Sequence, residues 1–145
     1  MKRCISPFLL SIIFFSVVCD TQTSQVSAQD RPTNEEITTI CQNFIITVVK
    51  NDSFYAQALL GYYTFSKIVD IKFQNFEIVK IGNYQQKPGK AYWPVRTHYT
   101  GSFKSVASMP FAGQSKQSEQ PFERTLNFMV FKDDFGEWKA DKLSE

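Results

Sequence analysis

The sequence predicts an α+β domain in which N-terminal helices pack on a curved antiparallel sheet. Three observations carry that expectation. A capped apolar stripe at helical spacing begins at Thr33, the apolar period changes to two from Ile71 onward, and turn signals divide the second half into long extended runs. Helices first and strands afterwards is the order of an α+β chain, and 145 residues leave room for one domain.

The first helix opens on Thr33, with Glu36 three residues later. This is a capping box: the threonine oxygen accepts an early backbone N–H and the glutamate reaches back. Ile37, Ile40, Cys41, Phe44, Ile45 and Val48 then form one apolar stripe, and the helix ends near Lys50. Asn51, Asp52 and Ser53 break the pattern and cap a second short helix over residues 54–60, which Gly61 terminates. Residues 62–69 carry no clear period. Extended runs are expected at residues 71–81, 91–103, 122–131 and 137–143, separated by Gly82-Asn83, by Pro88-Gly89 and by the turn from Asp133 to Gly136. Residues 104–120 are small and polar, and are expected to form a long connection within a hairpin.

Ahead of this domain, Lys2 and Arg3 precede an almost wholly apolar run over residues 8–18, the charged start and short apolar core of a secretory signal. The run is short of the roughly 20 residues that span a bilayer. Small residues at Val26-Ser27-Ala28 place cleavage after Ala28, so residues 1–28 are expected as signal peptide, 29–32 as a disordered lead-in and 33–145 as the domain. The mature protein is then periplasmic or secreted, with no integral membrane span. Cys19 directly follows the apolar run, which gives lipid attachment there as the alternative, although Val18 is a poor residue before a lipidated cysteine. Cys4 and Cys19 lie within the targeting segment. Only Cys41 therefore remains in the domain and no internal disulfide forms, which suits a bacterial periplasm.

Net charge is +2, and deleting Lys2, Arg3 and Asp20 leaves 14 basic against 13 acidic residues. No basic cluster is present, so no nucleic-acid partner is expected. The 14 Phe, six Tyr and two Trp imply an aromatic-rich core or cavity.

Few residues suggest chemistry. His98 is the single histidine and shares a strand face with Arg96 by alternation, the imidazole suited to proton transfer and the guanidinium to an anion. The competing reading makes Arg96 and His98 a solvated face while Trp93, Val95 and Tyr99 turn to the core. One histidine and one cysteine on an apolar stripe are too few nitrogen and sulfur ligands for zinc, and Asp133 and Asp134 are adjacent turn residues whose side chains diverge, so no metal and no cofactor are expected.

The capped helix and the closing run Val130-Phe131-Lys132-Asp133-Asp134-Phe135-Gly136-Glu137-Trp138-Lys139-Ala140 together resemble the cystatin-like, or nuclear-transport-factor-2-like (NTF2-like), superfamily. The resemblance implies a cone of sheet and helices around a pocket whose lining decides between carrier, enzyme and assembly module. It also implies, for an isomerase, a carboxylate base among Asp70, Glu77 and Glu123 with a donor among Tyr84, Tyr92 and Tyr99, and the spacing selects none of them. Aromatic residues are plentiful and convergent catalytic groups scarce. The leading expectation is thus a non-enzymatic domain that binds a small apolar ligand or a protein partner through a concave sheet face, with Trp93, Arg96, His98, Tyr99 and Phe128 as the candidate contacts. The alternatives are a small isomerase- or hydrolase-like enzyme using a pocket carboxylate or His98 as base, and an assembly component of an envelope complex that forms a homodimer through the sheet's outer face.

Overall fold

Thr33 caps α1 (Asn34–Asn51): its side chain accepts from the Glu36 N–H, and the Glu36 carboxylate accepts in return from the Thr33 N–H at 2.7 Å. Those bonds hold the Glu36 carboxyl below its usual range, the backbone bond from Thr33 contributing most. The computed structural model describes residues 31–64, 66–108 and 115–144. The expected signal peptide, Cys19 and residues 29–30 of the lead-in lie outside the described residues. Along α1, Ile37, Cys41, Ile45 and Val49 recur every fourth residue and are fully buried, with Phe44 and Val48 half-buried beside them. A second helix, α2 (Tyr55–Leu60), ends on Gly61 at φ +76° and buries Ala56, Leu59 and Leu60.

Five strands follow: β1 (Lys67–Ile81), β2 (Gln85–Lys87), β3 (Lys90–Ser108), β4 (Ser115–Lys132) and β5 (Trp138–Lys142). All pairings are antiparallel, in the order β1-β3-β4-β5, with β2 paired to the start of β3.

The expected α+β cone is overturned. Among the described residues strand accounts for 55% and helix for 23%, and the sheet is open, with β1 and β5 at its two edges. The physical reason lies in the stretch expected as a loop. Its small polar residues pair as strand, from Lys104↔Glu119 to Ser108↔Ser115, because a ladder needs only backbone partners and Ser105 and Ser118 bond each other at 2.9 Å. β1 likewise begins at Lys67, inside the segment without a clear period.

One face of the sheet carries the core. Val95, Tyr99 and Phe103 of β3 lie beside Phe122, Phe128 and Val130 of β4, all buried, and the Phe44 ring of α1 meets Phe128 edge-on at 6.0 Å. β1 contributes Ile68, Ile71, Phe73, Phe76, Ile78 and Ile81, whose spacing is irregular because register shifts after Ile68, Phe73 and Ile78 each insert one residue. Such bulges twist a strand while returning its side chains to one face. The opposite face is polar: Arg96 is exposed, and His98 lies 3.0 Å from the Thr125 hydroxyl and 3.6 Å from Glu123. Among the described residues no helix is long and apolar enough to cross a membrane.

Candidate functional site

The helices leave one end of the core-bearing face uncovered. There a cleft of about 400 Å³ is walled by Tyr84, Trp93, Val130 and Trp138, with Lys132 and Asp134 at its rim, and no helix residue lines it. Alternation on β3 puts Trp93 on the same face as Val95, the register sets Val130 opposite it, and Trp138 enters across from Lys132. Tyr84, just before β2, tilts against Trp93 with ring centroids 5.2 Å apart. The turn that sets Trp138 is knitted by Asp133, whose Oδ1 accepts the N–H groups of Phe135 and Glu137, while Gly136 supplies the left-handed backbone at φ +80°. Lys139 steadies the same turn through Asp133 at 3.8 Å and Glu137 at 2.7 Å.

The cleft is aromatic, with cations at hand. Lys132 Nζ lies 5.1 Å from the Trp138 ring centre, and Lys90 Nζ lies 4.6 Å from that of Phe131 while pairing with Asp141 at 3.6 Å. The Trp93 Nε1–H is buried and meets no acceptor. Both tryptophans of the chain line this one cleft. A second hollow of about 590 Å³ runs between α2 and the β2–β3 turn, but it is bounded by Leu143 and Ser144 beyond the last strand rather than by the sheet alone.

The five residues expected at a binding surface do not converge. Trp93 lines the cleft; Tyr99 and Phe128 are fully buried in the core, 6.5 Å apart; Arg96 and His98 stand on the polar face. Tyr99 donates to the Leu59 carbonyl and is enclosed by Phe73, Phe76 and Phe122, and that burial raises its pKa. Cys41, also fully buried, has its thiol pushed up to about 12 by desolvation. Neither group touches the cleft.

No family model, curated protein or solved structure matches the chain. The carboxylates named for an isomerase, Asp70, Glu77 and Glu123, pair across β1, β3 and β4 with Lys104, His98 and Thr100 on the polar face, whereas Tyr99 faces the core. The sheet thus separates these carboxylates from Tyr99, while Tyr92 alternates onto their face and Tyr84 stands against Trp93 at the cleft. Among the described residues no group of three or more His, Cys, Asp and Glu side chains stands together as a metal site.

Sequence reasoning named Trp93 and Trp138 as aromatic residues for a cavity or a core, but it missed that Tyr84 joins them. The available signal was Tyr84 directly after the Gly82-Asn83 break, two short runs from Trp93.

Proposed function

We propose that this protein is an exported, non-enzymatic domain that holds a small, largely apolar ligand in the cleft between Tyr84, Trp93 and Trp138. The observation that carries the reading is an aromatic-walled cleft of about 400 Å³ on the core-bearing face, within the roughly 300–1,000 Å³ of small-molecule sites. Flat rings on strands give a ligand wide contact at low entropic cost, since few side-chain torsions need ordering. The buried Trp93 Nε1–H favours a ligand with one hydrogen-bond acceptor, because a donor left without a partner costs about 1–3 kcal/mol.

Binding is tested with N-phenyl-1-naphthylamine, a neutral aromatic probe that accepts energy from tryptophan. Saturable quenching of tryptophan emission is expected, with affinity at least about tenfold lower in Tyr84→Ala and Trp138→Leu, a loss of about 1.4 kcal/mol or more. Arg96→Gln, on the opposite face, should bind as the parent does. Equal binding by all four proteins would remove the cleft from the account. Export is tested by the intact mass of protein taken from its native envelope: a chain starting at Gln29 supports it, and a lipid on Cys19 replaces soluble export by anchoring.

A further inference from the structure

A separate notch of about 240 Å³ opens beside β4 just past the end of β5. Its polar lining is Arg96, Thr125, Asn127 and Lys142, with Leu126 and Leu143 between them and, among the described residues, no carboxylate. The fold builds it from three strands. Arg96 of β3 stands directly across from Asn127 of β4, His98 across from Thr125, and Lys142 closes β5 opposite Phe128. The chain beyond β5 is fastened by the Leu143 N–H, which donates to the Asn127 carbonyl at 2.9 Å, so Lys142 is held at the notch by its neighbour's backbone. Thr125 Oγ1 lies 3.0 Å from His98 Nδ1, which fixes the hydroxyl beside Arg96.

The charges at the notch are not matched. Among the described residues, Lys90, His98, Lys104 and Lys139 each pair with a carboxylate, while Arg96 and Lys142 pair with none. Two unpaired cations lining one notch repel each other, and an anion between them converts that repulsion into attraction. The guanidinium offers a planar fork of N–H donors, the ammonium three more, and the Asn127 amide and Thr125 hydroxyl complete a donor set suited to oxygen atoms bearing negative charge. The volume lies below that of drug-sized ligands and suits an ion or a very small molecule.

We propose that this notch binds a small, freely diffusing oxyanion of the phosphate or sulfate kind, held by Arg96, Lys142, Asn127 and Thr125. It lies apart from the aromatic cleft and shares no residue with it. The test is a titration of the full domain with sodium phosphate against a chloride control at constant ionic strength, followed by ¹H–¹⁵N correlation spectra. Saturable shifts are expected at Arg96 Nε–H and the Asn127 side-chain amide with phosphate and not with chloride. Affinity should fall at least tenfold in Arg96→Gln and again in Arg96→Gln/Lys142→Gln, with the two tryptophan indole signals unmoved as a check that the fold is intact. Shifts that fail to saturate, match the chloride control or persist in the double variant would overturn the proposal. So would binding to vesicles containing phosphatidylglycerol without any response to inorganic phosphate, since that outcome assigns the cations to a lipid surface.

Discussion

Gly101 stands in register with Phe73 on one side and Phe122 on the other, and a Cβ there would lie 2.0 Å from the Lys72 carbonyl oxygen and 2.6 Å from Phe122 Cζ. Backbone cannot move aside as a side-chain tip can. Gly101→Ala should therefore destabilise the domain by about 3 kcal/mol or more, measured by urea denaturation, and a midpoint near the parent's would show that β1 and β3 are less closely set. Tyr99→Phe removes the hydroxyl that satisfies the Leu59 carbonyl and should cost about 1–3 kcal/mol in the same measurement. Cys41, fully buried with its thiol pushed up to about 12, should resist iodoacetamide at pH 8 in the folded protein and react in urea, with the label located by peptide mapping. The burial of Cys41 was legible, because the residue sits on a helical apolar stripe. Gly101 was not: its constraints come from Lys72 and Phe122, distant in sequence, and a lone glycine within a strand run looks the same whether it is crowded or merely tolerated.

At the scale of elements, the capping box of α1 was written in Thr33 and Glu36, and both reciprocal bonds form. Thr33→Ala should lower stability by about 1 kcal/mol in thermal unfolding. The accompanying acid dependence has a definite sign. The folded-state pKa of Glu36 is depressed, so the contribution of its carboxylate is present above the ordinary value of 4.5 and is lost as pH falls through the lower folded-state value. Glu36→Gln should flatten that part of the stability profile; an unchanged profile would mean that the pair does not act in solution. The strands were harder to read. Three inserted residues in β1 break strict alternation, so its apolar residues fit neither a period of two nor one of 3.6 over their whole length. The far ends of β3 and β4 were hidden because serine, glutamine and lysine pair there without any apolar signal.

Taken as a whole molecule, buried apolar residues of both helices and of β1, β3 and β4 form one hydrophobic cluster, with Trp138 and Ala140 of β5 packed against it. Loss of far-UV circular dichroism and the change in tryptophan emission should coincide in urea, as expected for a single cooperative unit. Emission that changed first would separate the cleft from the core, since both tryptophans report from that one place. Whether the strands close into a cone or remain an open sheet depends on which edges meet, and periodicity carries no information about edges. That is why the α+β cone was expected and an open, strand-dominated architecture was found. The same gap hid the site: the five candidate residues were chosen from alternation and residue chemistry, whereas the cleft depends on where the helices stop covering the sheet. The most direct test of the central claim follows the two indole N–H signals of the chain in a ¹H–¹⁵N correlation spectrum as N-phenyl-1-naphthylamine is added. The account predicts that the Trp93 and Trp138 signals both move saturably while the Arg96 and His98 amides stay in place; still indoles, with shifts confined to Tyr55 and Leu143 around the second hollow, would contradict it.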